Sequence, residues 1–197
     1  MVNDALLQQA RNLVEAMDKT ADDNLPEKIA EIVKFHSKGA AISALGSAWI
    51  PGAGGTAATL ISAGFIWSMY SRIGAEINLP ISKNILKTLA SGVATNLAAY
   101  VVGAIALSTA FSFIPGLNFL GASIIMGATC YALTLASGYV YLKIMTQLFN
   151  KGIDPTTLSE KDFADLTKDA AKGSDVEDVV RGAREDFKSR KDKGEFK

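Results

Sequence analysis

Few of the 197 residues have the type and spacing to carry out chemistry. His36 is the only histidine; it stands between Phe35 and Ser37 beside Lys38, and its nearest acid, Glu31, is five residues back. One imidazole cannot build a metal site alone. It reads as an interfacial histidine, and its sharper use is a pH-sensitive contact at a membrane surface. Glu76 is the only acid between Glu31 and Asp154. It falls in the Gly74 to Lys83 connection, outside the apolar runs, so it reads as a solvated acid paired with Arg72 or Lys83, not as a proton relay. Gly52-Ala53-Gly54-Gly55-Thr56 opens a helix whose amides can face a phosphate or lipid headgroup. No lysine follows it and no strand precedes it, so it reads as a turn. The single Cys130 excludes a disulfide framework and a multi-cysteine metal site, and suits a small core residue. Asn96 suits a hydrogen bond across helices and Asn118 a turn. No nucleophile–base pair, paired carboxylates, ligand cluster or Gly-x-x-x-x-Gly-Lys-Ser/Thr occurs, so no catalytic, metal or cofactor role is expected, and no enzyme.

The elements that position these residues are organised by charge. Twenty basic and twenty acidic residues cancel. Met1 to Lys38 holds seven acids and five bases, Gly39 to Lys151 one acid and five bases, and Gly152 to Lys197 twelve acids and ten bases. Six charges in the whole middle stretch fall far below the ~25% usual in soluble domains. This distribution excludes a nucleic-acid binder with a basic face and a disordered chain. The expected divisions are an amphipathic N-terminal helix over 1–27, a hydrophobic helical-hairpin domain over 28–151 and a charged helical cytoplasmic tail over 152–197. The first residues lack a basic stretch leading into an apolar core, so no cleavable signal is expected.

Leu6, Leu7, Ala10, Leu13, Val14 and Met17 recur at helical spacing. Asn24 and Glu27 read as a capping box with Pro26 in the first turn, opening a helix with Ile29, Ile32, Val33 and Phe35 on its apolar side. Gly39 to Ser71 is free of charge throughout, and Pro51-Gly52-Ala53-Gly54-Gly55 divides it into two legs. Both legs are shorter than the ~20 residues of a bilayer span, so a re-entrant or shallow hairpin fits. Thr88 to Leu142 is likewise free of charge, divided near Pro115-Gly116 into two longer legs. Each of these reaches about 38 Å, enough to cross a ~30 Å hydrocarbon core. Ala94/Ala98, Ala99/Gly103, Ala106/Ala110 and Ala128/Ala132/Ala136 form small-residue stripes suited to close helix packing and self-association. An Ala-rich soluble bundle uses the same residues; length without charge favours lipid.

Lys38, Arg72, Lys83, Lys87 and Lys143 flank the apolar runs, and none stands at a Pro-Gly turn. They read as interfacial basic residues that hold both termini on the cytoplasmic side. Trp49, Trp67, Tyr70, Tyr139 and Tyr141 lie near segment ends, where aromatic belts form. The recurrence of Ile50-Pro51-Gly52 as Ile114-Pro115-Gly116 suggests a duplicated hairpin. In the tail, Ser159/Asp162 and Ser174/Glu177 read as helix caps; Val176, Val179, Val180, Ala183 and Phe187 form a face that can dock on the first helix or a partner. Lys188 to Lys197 reads as frayed.

The run Ile32-Val33-Lys34-Phe35-His36-Ser37-Lys38-Gly39-Ala40-Ala41, followed by Ile50-Pro51-Gly52-Ala53-Gly54-Gly55, resembles the opening of the YcjF-like, GTPase-associated bacterial membrane domain of unknown function. Phe65-Ile66-Trp67-Ser68-Met69-Tyr70, Ile73-Gly74, the helix from Ser82, Ile114-Pro115-Gly116 and the Gly/Ala-rich run Gly121 to Gly138 continue the resemblance. It extends over Glu31 to Phe149, more than half of the chain. The resemblance implies an inner-membrane domain associated with a small GTPase, here a separate chain, and no catalytic residues. The expected protein is therefore all-α, with membrane-inserted hairpins closed by Pro51, Gly52, Gly54, Gly55, Pro115 and Gly116 between amphipathic cytoplasmic helices. Its expected role is a non-enzymatic anchor or membrane-shaping module that engages the bilayer and recruits a GTPase. Two other readings stay open: an amphitropic or pore-forming protein, soluble until insertion, and a small channel or transporter component.

Overall fold

The computed structural model describes the backbone of residues 2–17, 24–47, 54–112 and 120–196, and side chains over 3–17, 24–46, 60–97 and 123–196. Among the described residues the chain is all-helical: α1 (Val2–Ala16), α2 (Leu25–Ser47), α3 (Gly54–Glu76), α4 (Lys83–Ser112), α5 (Leu120–Asn150), a 3₁₀ turn (Pro155–Thr157), α6 (Glu160–Ala170) and α7 (Ser174–Asp192). Gly54 and Gly55 open α3, whereas Pro51, Gly52, Pro115 and Gly116, with the hairpin turns they define, lie outside the described residues.

α2 to α5 run up and down beside one another. Gly39 meets Phe65 while Lys28 reaches Glu76, which sets α2 antiparallel to α3. Gly127 meets Leu45 and Gly138 meets Val33, which sets α2 antiparallel to α5 as well. α5 is the axis, packed against all six other α-helices. Its 31 residues span about 46 Å, and every residue from Thr129 to Gly138 is buried. Ser123–Asn150 is the one helical stretch among the described residues long and apolar enough to cross a membrane, with mean hydropathy 1.3, yet 72% of its apolar window is covered by other parts of the chain.

The cover comes from the charged ends of the sequence. α1 buries Leu6, Ala10, Leu13 and Val14; α6 buries Phe163 and Thr167; α7 buries Val176, Val179, Val180, Ala183 and Phe187. Each places its apolar positions on one face at helical spacing, which lets a charged helix lie on an apolar axis. One continuous core thus draws on all three stretches of the sequence, from Leu6 through Ile29 and Tyr141 to Val180.

Local signals set the ends. Ser159 Oγ accepts from the Asp162 N–H at 3.3 Å while the Asp162 carboxylate accepts from the Ser159 N–H at 3.0 Å, the capping box expected for α6. The box expected at Ser174 and Glu177 does not form: Gly173 is the N-cap of α7 and no side chain caps it. α3 closes with Leu79 N–H donating to Gly74 O at 2.8 Å and Asn78 N–H to Ala75 O at 3.2 Å around Asn78 (φ 54°), a left-handed cap that Asn tolerates better than most residues. Gly152 (φ 65°) ends α5 in the same way, with Ile153 N–H donating to Leu148 O at 2.9 Å. Lys188 to Lys197 is not frayed as a whole, since α7 continues to Asp192 and the Phe196 ring packs 4.6 Å from that of Phe187 and 5.8 Å from that of Tyr131.

α5 approaches α2 through Gly138, where an added Cβ lies 2.6 Å from Val33 Cγ1 and 2.9 Å from Cγ2. Valine is stiff at χ1 and the contact is buried, so Gly138→Ala is expected to destabilise the chain by about 1–3 kcal/mol. Pairing it with Val33→Ala relieves the clash, so urea unfolding should show the two changes costing less together than the sum of each alone; strict additivity contradicts the contact.

Candidate functional site

α7 lies antiparallel on α5 and is clasped to it at two levels. The Lys143 ammonium donates to both Asp175 carboxylate oxygens, at 3.0 and 2.8 Å, and the Tyr139 hydroxyl donates to Asp175 Oδ2 at 3.1 Å. Burial acts to raise the Asp175 carboxyl, but Lys143 and Tyr139 together outweigh it and hold the carboxyl below its ordinary range. Three turns away the Tyr131 hydroxyl donates to Asp186 at 2.7 Å, and Arg190 Nε donates to the same oxygen at 2.8 Å. α1 adds a buried link, Gln9 Nε2 to Thr146 Oγ1 at 3.0 Å. Lys143, one of the expected interfacial bases, holds a charged helix against the apolar axis.

The other flanking bases stand apart from it. Lys38, Arg72, Lys83 and Lys87 are exposed. Arg72 stands 5.5 Å from the centre of the Phe35 ring, and Lys87 5.9 Å from that of Trp67. Lys83 begins α4, where the Ile85 N–H donates to Ser82 Oγ at 3.3 Å. The structure brings Arg72 of α3 to Phe35, which shares a cavity wall with Lys38 and is 64% exposed despite its expected place on the apolar side of α2. Above this level α2 and α3 carry no charge, and their surface includes Ile42 (39% exposed), Gly46, Leu60 (70% exposed) and Gly64. α2 and α3 therefore share a charge-free segment beyond Phe35, Lys38 and Arg72, while the charged C-terminal turns of α7 lie against α5 at the same level, where Gly127 meets both Leu45 and Phe187.

Several polar residues take places that spacing alone did not indicate. His36 faces inward: it is 3% exposed, between α2 and α3, with Nδ1 2.7 Å from Ile32 O and Nε2 3.3 Å from Ser68 Oγ. Glu76 ends α3 and pairs with Lys28 of α2 at 3.9 Å, not with Arg72 or Lys83. Asn96 donates to Gly92 O of its own helix at 2.8 Å instead of bonding across helices; Asn118 lies outside the described residues. Tyr70 and Tyr141 form no belt; they stack in the core at 4.3 Å, and the Tyr70 hydroxyl donates to Ser137 O at 3.0 Å. Trp49 is outside the described residues. Cys130 is fully buried, as a small core residue. Among the described residues no group of three His, Cys, Asp or Glu is placed to hold a metal.

Missed by sequence reasoning were the exposure of Phe35 and the return of Tyr131, Arg190 and Phe196 to the α2 surface. The one available signal was the aromatic Phe196 in an otherwise charged terminus. No protein-family model, curated protein or solved structure matches the chain.

Burial lowers the pKa of His36, the Ile32 carbonyl opposes it, and the Arg72 charge adds to the lowering. A histidine whose folded pKa lies below its unfolded value gives stability that is complete above the unfolded value, about 6.5, and lost as pH falls below it. Between pH 7.5 and 5.5 the melting temperature should therefore fall more steeply for the natural chain than for His36→Gln; equal slopes contradict this.

Proposed function

We propose that the chain is a non-enzymatic membrane module, a helical bundle stable in water, whose charge-free α2–α3 face enters the bilayer surface. The observation that carries this reading is the separation of faces: exposed apolar residues Ile42 and Leu60 on the charge-free segment of α2 and α3, and charged α1, α6 and α7 jacketing α5. The Lys38 and Arg72 side chains beside exposed Phe35 suit the headgroup level, where aromatic and basic side chains gather.

Of the amphitropic and inserted readings, the jacket favours the amphitropic one. A charged helix clasped through Asp175 and Asp186 to α5 cannot enter hydrocarbon without breaking those contacts, so full insertion of α5 requires α7 to leave. The resemblance to YcjF-like domains adds a bacterial inner-membrane setting and a separate GTPase chain recruited by the polar helices.

Flotation of the detergent-free protein with vesicles tests the reading, with Trp67→Phe leaving Trp49 as the sole tryptophan. Binding with quenching of Trp49 by brominated acyl chains is expected, because Trp49 belongs to the charge-free stretch joining α2 to α3. Binding without quenching, or no flotation, overturns it. Recovery of no nucleotide-binding chain in a pull-down removes the GTPase part alone.

A further inference from the structure

Beside the charge-free segment is a small cavity of about 120 Å³, lined by Lys34, Phe35 and Lys38 of α2, Tyr131 of α5, and Arg190 and Phe196 at the end of α7. Three cations and three aromatic rings line it, and no acid does. Arg190 is already engaged by Asp186 at 2.8 Å and Glu195 at 2.9 Å. Lys34 and Lys38 form no ion pair among the described residues, although the field of Lys34 reaches Asp4 of α1. Asp186 and Glu195 carry one negative charge more than Arg190, so the two ammonium groups beside these rings leave one net positive charge at the edge of the charge-free surface, where a bilayer would supply negative charge.

We infer that Lys34 and Lys38, over Phe35, Tyr131 and Phe196, bind the phosphate of an anionic phospholipid headgroup. This deepens the membrane reading above and rests on it. The lysines donate to the phosphate as point charges, while Arg190, held by its carboxylates, orients the Tyr131 side of the cavity. Phe35 and Phe196 face the glycerol and upper acyl region while buried Tyr131 closes the floor, and the charge-free surface bearing Ile42 and Leu60 continues from there towards the hydrocarbon.

The test measures binding of the whole chain to phosphatidylcholine vesicles with and without phosphatidylglycerol, at matched ionic strength. A Lys or Arg near an anionic surface contributes about 1 kcal/mol, so Lys34→Gln/Lys38→Gln should weaken binding to the phosphatidylglycerol vesicles on the order of 10- to 30-fold. Phosphatidylcholine binding should stay nearly unchanged, and Lys34→Arg/Lys38→Arg should restore the preference. Removing the same charge from exposed positions of α6, Lys161→Gln/Lys168→Gln, should leave it intact. Unaltered circular dichroism and melting establish that the variants fold. Equal binding by the Lys34/Lys38 variant, or an equal loss in the α6 variant, overturns the site. Displacement of the natural chain by millimolar inorganic phosphate overturns the lipid assignment in favour of a free phosphate. Binding to phosphatidylcholine with no phosphatidylglycerol preference overturns the site alone, whereas no binding to either vesicle overturns the membrane reading with it.

Discussion

α5 carries no charge from Leu120 to Leu142, and its apolar surface has to be covered by something other than water. Around it the chain supplies the cover itself. α2, α3 and α4 are apolar enough to pack against it on several sides, but they leave faces open that α1, α6 and α7 close. Those three helices are polar on their outer faces, so the same contacts that bury α5 also present a charged surface. Gly138 sets how near α2 can come, and the stacked Tyr70 and Tyr141 rings fill the space between α3 and α5. Each depends on α5 being where it is.

The core is not uniformly comfortable. Thr134 Oγ1, Ser137 Oγ and Tyr141 OH are buried without a hydrogen-bond partner among the described residues. A buried unpaired polar group costs about 1–3 kcal/mol, so these hydroxyls offset part of the stability that burial confers. The clasps through Asp175 and Asp186 work in the other direction, tying α7 to α5 by charge-assisted hydrogen bonds. Lowered pH acts on the same balance from another side, because protonating buried His36 places a second positive charge near Arg72.

Much of the fold was legible because it is set by local spacing. The faces of α1 and α7, the Ser159 cap and the entry to α2 near Asn24 follow from residues three and four apart. The environment of α5 was not legible in this way. An apolar run states that water is excluded, not whether lipid or protein excludes it, and the answer lies in helices far along the chain. The misread polar residues share that cause. Tyr70 and Tyr141 stand at segment ends, yet α3 and α5 run parallel and bring their rings together. Glu76 finds Lys28 because α2 is antiparallel to α3, and His36 is buried because α3 lies over it. Of the candidate site, the cations Lys38 and Arg72 could be named from sequence; their convergence on Phe35, and the return of Phe196, could not.

The most direct test of the jacket around α5 uses the chain's single thiol. Cys130 lies at 0% exposure among the buried residues of α5. In detergent-free buffer without vesicles, a water-soluble maleimide should leave Cys130 unlabelled until urea unfolds the chain. Labelling at the rate of an exposed thiol under native conditions, or a chain that stays in solution only with detergent, would contradict a protein-covered α5.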